Sequence, residues 1–167
     1  MLLTPKNCPN LQDFSVNVGS NPISPNESVK NIGVYFDQHC LMTDQVTNIC
    51  KTAGWQLRKI GQIRHYLDQQ SGERVIHASV SSRLDQNNAL LFGLPEYQFR
   101  KLRRIQYAAA RILLRTNFQG HMTPVLKRLH WLPVELRVHY KILLCLNNQA
   151  PFYLSELLSI KPSERDM

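Results

Sequence analysis

The stretch that follows Pro95 constrains the fold of this 167-residue chain more than any other. Apolar residues recur there at spacings of three and four, which is the pattern of one buried helix face. They are Phe99, Leu102, Ile105, Ala109, Ile112 and Leu113. Proline suits the first turn of a helix, because its missing N–H would have no partner there. The sequence therefore predicts an amphipathic helix from Pro95 to about Arg115.

Four arginines lie on the opposite side of this predicted helix. At about 100° per residue they fall within about 60° of one another. They are Arg100, Arg104, Arg111 and Arg115. A guanidinium group can donate two parallel hydrogen bonds to a phosphate, so that such a ridge suits a polyanion. The alternative is a solvated charge face on an ordinary surface helix.

The basic residues are concentrated in the middle of the chain. Between Lys51 and Lys141 there are 16 Lys and Arg but 5 Asp and Glu, a net charge of +11. The remaining residues hold 4 basic and 7 acidic side chains, a net of −3, which leaves +8 for the whole chain. A basic centre with near-neutral ends favours a polyanionic partner, and nucleic acid is the commonest one.

Composition and motifs argue against several classes of protein. No run of eighteen apolar residues exists and the start lacks a signal-peptide pattern, so we expect an intracellular protein, nuclear or cytoplasmic, without a membrane partner. The cysteines and histidines lack metal-ligand spacing, and the four cysteines are scattered along the chain. We therefore expect no zinc site and no structural disulfide. No two acidic residues are adjacent, and the common catalytic motifs are missing. Asp37 and Asp85 are the most suggestive carboxylates, and each is more simply a turn former or a cap.

Periodicity predicts a mainly α-helical fold, with an N-terminal β-hairpin followed by five or six helices. The hairpin strands are expected from Phe14 to Val18 and from Val29 to Asp37. Three of the helices are expected to begin at the capping residues Thr43, Ser71 and Thr123. Pro95 and Pro133 precede two more, and a short one is expected at 151–158.

Two further expectations concern which side chains face inward. On the helix from Thr43, the basic residues Lys51, Arg58 and Arg64 are expected to face solvent. On the last long helix, the expected buried stripe is Leu136, Tyr140, Leu143 and Leu144. Trp55 and Trp131 lie close to basic residues, as in proteins that stack nucleic-acid bases. For each tryptophan alone, a place in the core is the simpler interpretation.

Five sequence blocks resemble the end of the reverse transcriptase of a non-LTR, LINE-like retrotransposon, most closely the jockey and chicken-repeat type. They are SVKNIGVYFD (28–37), HASVSSRLDQNNALLFGLP (77–95), LRRIQYAAARILL (102–114), HMTPVLKRLHWLPVELRVHYKILL (121–144) and APFYLSELL (150–158). The resemblance covers nearly the whole chain from about residue 14. Gln86 and Asn87 depart from it, because family members usually carry an aromatic residue and a cysteine there. The segment between Leu144 and Ala150 is about one helical turn shorter than in relatives.

This resemblance implies three segments: a palm-edge hairpin with a primer-grip-like strand at 1–40, a helical thumb at 41–118 and a carboxyl-terminal helical extension at 119–167. In that family the catalytic aspartates lie upstream, in the fingers and palm. The chain is thus expected to be an inactive fragment of an RNA-directed DNA polymerase, and Mg would belong to the absent palm. Its expected partners are the missing fingers and palm and an RNA or DNA template–primer duplex, without a small-molecule substrate.

The resemblance and the charge distribution together define the predicted site. The primer-grip-like residues are Asn31, Ile32, Gly33, Val34 and Tyr35. The residues expected to contact the nucleic-acid backbone are Lys51, Arg58, Lys59, Arg64, Arg100, Arg104, Arg111, Arg115, Lys127 and Arg128. The alternative is a helical protein-interaction module with no nucleic-acid role. Its apolar patch would be Val16, Val18, Ile32, Val34 and Phe36.

Overall fold

The computed structural model describes residue 3 and residues 15–116 and 120–155. The predicted mainly α-helical fold behind N-terminal β-structure is confirmed. The strands are β1 (Val16–Val18), β2 (Asn21–Ile23), β3 (Ser28–Asn31) and β4 (Val34–Asp37). The helices are α1 (Thr43–Ile63), α2 (Gln69–Ile76), α3 (Ser82–Asp85), α4 (Glu96–Leu114), α5 (Thr123–Arg128), α6 (Val134–Leu146) and α7 (Phe152–Ser155). The predicted strand start at Phe14 and helix end at Leu158 lie outside the described residues.

The β-structure consists of two hairpins, whereas the sequence predicted one. β1 pairs with β2 and β3 pairs with β4, each pair antiparallel. The predicted strand 29–37 is therefore wrong, because the chain reverses inside it at Ile32 and Gly33. Both residues have positive φ, 47° and 81°. A two-residue turn with two positive φ values matches the twist of paired strands. Such a turn can reverse the chain while the sequence on either side still has the pattern of one continuous strand.

Acidic side chains cap α1 and α2. The Asp37 carboxylate accepts hydrogen bonds from the N–H groups of Leu41 (2.7 Å) and Thr43 (3.1 Å), which confirms its structural role. Asp68 accepts from the N–H of Ser71 at the start of α2. The predicted caps Thr43 and Ser71 are wrong, since both residues lie inside their helices.

α1 and α4 run side by side and parallel, and they form the centre of the core. Gly54 of α1 lies against Ile105 of α4, and Thr43 accepts a hydrogen bond from the Gln98 amide. The apolar face predicted for α4 is buried, with Ile105 and Ile112 partly so. α2, a π-helical segment (His77–Ser81) and α3 pack against α1. None of the described helices combines the length and the apolarity needed to cross a bilayer.

α6 is fixed to α4 by Gln106. The Gln106 side chain is buried; its amide donates to the Leu132 carbonyl oxygen (2.8 Å) and its oxygen accepts from the Val134 N–H (3.2 Å). With its start held on α4 in this way, α6 has an orientation that turns Val134 and Val138 into the core. The predicted buried stripe is wrong, because the orientation leaves three of its members exposed. They are Leu136, Tyr140 and Leu143.

Candidate nucleic-acid interface

The outward side of α1 carries basic residues around an exposed tryptophan. Lys51, Arg58 and Lys59 are exposed, as expected, and the Trp55 residue is 53% exposed. They lie outward because the apolar residues of α1 occupy its opposite face. The assignment of Trp55 to the core is therefore wrong. The same assignment is confirmed for Trp131, which is 6% exposed.

A cavity opens beside this part of α1, and α3 provides its other wall. We call it the α1 groove and define it by Lys51, Trp55, Arg58 and Arg83. Its volume is about 580 Å³. Arg83 was not predicted from the sequence as a site residue, because its charge was the only feature that pointed to it. Arg83 lies on α3, which packs against α1.

The α1 groove continues towards the β3–β4 turn. A second cavity of about 550 Å³ shares Gln56 and Arg83 with it and extends to Gln86. The Gln86 amide nitrogen lies 3.3 Å from the position that a Cβ would take on Gly33. The turn and the α1 groove thus border one continuous side of the molecule.

The primer-grip-like residues divide into an exposed turn and an anchored strand. Asn31 and Gly33 are exposed, and Ile32 is 86% exposed. Val34 is buried, and the Tyr35 N–H donates to the Gln45 side-chain oxygen of α1 (3.0 Å). Only the turn is therefore open to a ligand, while β4 holds the hairpin on α1.

The α4 arginines differ in their surroundings. Arg100 and Arg104 are exposed, and Arg111 is half-buried beside Gly61 in a cavity of about 400 Å³. α2 packs against both α1 and α4, so that the core lies on one side of this parallel pair and the outward faces of both helices lie on the other. Arg103 points to the other flank of α4.

Arg103 links α4 to α6 through carboxylates. Its guanidinium pairs with Glu96 (3.0 Å) and with Glu135 at the start of α6. The hydrogen bond that Arg103 donates to the Glu135 carboxylate raises the pKa of Arg103 above its usual value. Adjacent arginines in the sequence thus have different surroundings, because Arg103 pairs with carboxylates and Arg104 forms no ion pair with any described residue.

At the carboxyl ends of α1 and α4, two arginines cap the neighbouring helix. Arg64 is 7% exposed, and its Nε and Nη2 donate to the Leu113 carbonyl oxygen (3.1 and 2.6 Å). Its Nη1 donates to the Leu67 oxygen (2.6 Å). Arg115 in turn donates from Nη2 to the Arg64 oxygen (2.8 Å). We call this arrangement the capped end and define it by Arg64, Leu113 and Arg115.

The prediction that Arg64 faces solvent is wrong. Arg64 follows the buried residues Leu57 and Ile60 by seven and four positions and keeps a right-handed helical backbone, so that helical spacing places it on the buried face of α1. Carbonyl groups at a helix carboxyl end lack partners within the helix and carry partial negative charge, which attracts a guanidinium. Gly72 of α2 makes room for it, since a Cβ there would lie 3.2 Å from Arg64 Cζ and Nε.

The remaining predicted residues lie on α5. Lys127 is exposed, and Arg128 lines a cavity of about 530 Å³ with Arg64, Arg115 and Asp68. Arg128 therefore belongs to the surroundings of the capped end. Hydrogen bonds from Ser71 hold the pKa of Asp68 below its usual value.

The remaining acidic candidate, Asp85, ends α3 and faces α6. Asp85 pairs with Arg137 of α6 (2.9 Å). Within residues 15–116 and 120–155, no group of three or more His, Cys, Asp or Glu side chains could hold a metal ion. No family model, no curated protein and no solved structure matches this chain. Functional inference therefore depends on the residues themselves.

Proposed function

We propose that this chain is the carboxyl-terminal, thumb-like part of a non-LTR retrotransposon reverse transcriptase, and that it binds the backbone of a template–primer duplex. The five sequence blocks suggest the family. One observation carries the binding role: the outward cations of α1, α3 and α4 form no ion pair with any described residue. These cations are Lys51, Arg58, Arg83, Arg100 and Arg104.

Such a surface suits phosphates better than bases. Cations without acidic partners release counterions from a nucleic acid on binding, which gives strong salt dependence and little sequence preference. The exposed turn at Ile32 and Gly33 borders the same side, where the resemblance would put the primer terminus. The resemblance also assigns catalysis to aspartates upstream, so we propose binding by this chain and polymerisation only by its parent enzyme.

The proposal is tested by titrating the full chain with a labelled RNA–DNA hybrid of mixed sequence over a series of KCl concentrations. We expect log Kd to change linearly with log salt. Arg104→Gln should reduce that slope by about one, because one phosphate contact is lost. Arg103→Gln is the matched control and should leave the slope unchanged, since Glu96 and Glu135 already neutralise Arg103. Salt-independent binding, or equal effects of the two variants, would contradict the proposal.

A second candidate is the helical protein-interaction module, and the exposure of apolar residues favours it. Val16, Val18 and Ile32 of the proposed patch are exposed, although Val34 is buried and Phe36 partly so. α6 also exposes apolar residues, among them Leu136 and Leu143. This function would be supported if the chain self-associates but does not bind the hybrid at low salt. In analytical ultracentrifugation, Leu136→Ser should then restore the monomer.

A further inference from the structure

Trp55 is an unusual residue to expose in the middle of a long helix. The side chain is large and apolar, and such residues normally contribute to a core. Trp131 does so in this protein: it is 6% exposed, and its indole N–H donates to Glu73 of α2 (3.3 Å). Trp55 instead projects from α1 among cations. Its exposed surface therefore points to a ligand.

A neighbouring lysine fixes the position of the Trp55 ring. Lys59, one helical turn further along α1, places its Nζ 4.4 Å from the ring centroid. A cation at this distance from an indole is attracted by the electrons of the ring face. This contact covers one face and limits the motion of the side chain. A flat ligand can stack on the face that Lys59 does not cover.

The cavity beside Trp55 offers the polar groups that a nucleotide needs. Asn48 and Gln56 contribute amides, which both donate and accept hydrogen bonds and so can match the edge of a base. Lys51, Arg58 and Arg83 contribute positive charge for the adjoining phosphates. The volume of about 580 Å³ falls within the range of small-ligand sites.

We propose that Trp55 and the α1 groove hold an unpaired base of a single-stranded nucleic-acid segment, with its phosphates on Lys51, Arg58 and Arg83. This inference rests on the proposed function and deepens it. A paired base has its faces covered by neighbouring pairs, so that only an unpaired base can stack on Trp55. The second cavity, which shares Gln56 and Arg83, continues the polar track for the following nucleotide.

The test compares two strands that carry the same phosphates. Oligouridine and an abasic oligomer of equal length are titrated against the full chain, with tryptophan emission and anisotropy as readouts. The wild-type chain should bind oligouridine about tenfold more tightly than the abasic strand, since one stacked base contributes roughly 1–3 kcal/mol. Trp55→Ala should abolish this difference and leave the affinity for the abasic strand unchanged. Because Trp55 is exposed, the variant should retain its folded structure.

Matched controls separate the base site from the duplex surface. Tyr66→Ala removes an aromatic side chain that is more exposed, at 81%, and it should preserve the difference between the two strands. Equal binding of both strands by the wild-type chain, or equal effects of the Tyr66 and Trp55 variants, would overturn the inference. Trp55-dependent binding of oligoglutamate as tight as that of oligouridine would also overturn it.

The same titrations distinguish failure of this inference from failure of the proposed function. If the RNA–DNA hybrid binds with the expected salt slope while the abasic strand and oligouridine bind with equal affinity, only the base site is refuted. If neither the hybrid nor the single strands bind at low salt, the proposed function fails as well. Quenching of tryptophan emission by oligouridine that persists in Trp55→Phe would assign the signal to Trp131 and contradict stacking at Trp55.

Discussion

The capped end and the α1 groove both contain arginines, the first at the carboxyl ends of α1 and α4 and the second between α1 and α3. At the capped end the Arg64 guanidinium is buried and donates three hydrogen bonds to two carbonyl oxygens. In the α1 groove Arg58 and Arg83 are exposed and have no ion pair with any described residue. The same side chain thus completes the fold in one region and remains available to a ligand in the other.

This difference shows what decides the role of an arginine on a helix. Carbonyl groups of the last turn lack partners within their helix. A guanidinium that reaches them from a neighbouring helix donates its hydrogen bonds to them and is no longer available to a ligand. Arg58 lies within α1, where the carbonyl groups are already bonded within the helix, so that its guanidinium stays available to a carboxylate or a ligand. Arg103 meets carboxylates, whereas Arg58 and Arg83 do not.

The largest expected effect is that of Arg64→Met. The variant leaves the carbonyl group of the buried Leu113 without the Arg64 donors, at roughly 1–3 kcal/mol, and removes a further donor from the carbonyl group of the half-buried Leu67. It also relieves the cost of burying the charge. We expect a net loss of about 2–3 kcal/mol in the free energy of unfolding, measured by urea denaturation. The salt slope of hybrid binding should not change.

Arg64→Lys is the matched control for charge. A single ammonium group cannot reproduce the fork that contacts two carbonyl oxygens, so we expect it to recover only a minor part of the stability. Full recovery would show that charge alone holds the capped end. A reduced salt slope in Arg64→Met would place Arg64 in the interface and remove the contrast between the two regions.

Gly72→Ala is expected to have the next largest effect, and Gly61→Ala provides its control. Alanine favours a helix by about 1 kcal/mol over glycine. At Gly61 an added Cβ meets no described atom within 4 Å, so that this gain should be realised. At Gly72 the Cβ would lie 3.2 Å from a guanidinium held by three hydrogen bonds. We expect overpacking to reverse the sign and to destabilise the protein by about 1 kcal/mol.

Urea denaturation of both variants measures this contrast, and a double-mutant cycle with Arg64→Met identifies its cause. If the fixed guanidinium is what the added methyl meets, the penalty of Gly72→Ala should shrink once a flexible methionine side chain replaces it. An unchanged penalty would indicate that Leu113 Cδ1, at 3.4 Å from the added Cβ, is the limiting contact.

Much of the fold was predictable because its helices are long and strongly periodic. The apolar face of α4 and the outward cations of α1 follow directly from the spacing of residues along a regular helix. The Ile32–Gly33 reversal was not predictable from alternation, since an apolar residue at the turn preserves the strand pattern. The orientation of α6 was not predictable either, because Gln106, a residue of α4, determines it.

The candidate site was predictable in composition but not in assembly. Lys51, Arg58 and Arg104 face solvent as their spacing indicates. Arg64 does not, because it lies four residues after Ile60 on the buried face of α1, where it donates to the Leu113 carbonyl oxygen. Arg83 joins Trp55 only through the packing of α3 on α1, which leaves no trace in local sequence.

A smaller effect is expected from Asp68→Asn, which tests the α2 start beside the capped end. The pKa of Asp68 is lowered in the folded state, so its carboxylate stabilises the fold above the unfolded-state pKa, about 3.9. That contribution is lost as the pH falls through the lower, folded-state pKa. Asparagine also caps a helix but does not titrate. The stability difference between the two proteins should therefore shrink in acid, and a constant difference from neutral pH downwards would contradict this role.

The smallest effect on stability is expected from the pair Arg58→Gln and Arg83→Gln, and it completes the contrast with Arg64. Neither side chain contacts a described carboxylate, and surface substitutions of this kind usually change the free energy of unfolding by less than about 0.5 kcal/mol. The pair should nevertheless weaken binding of the hybrid and of oligouridine and lower the salt slope by about two, one for each phosphate contact. Arg103→Gln should do the reverse, with a small loss of stability and no change in slope. If the Arg58 and Arg83 variants unfold as readily as Arg64→Met, the α1 groove is part of the scaffold, and its cations are not available to a ligand.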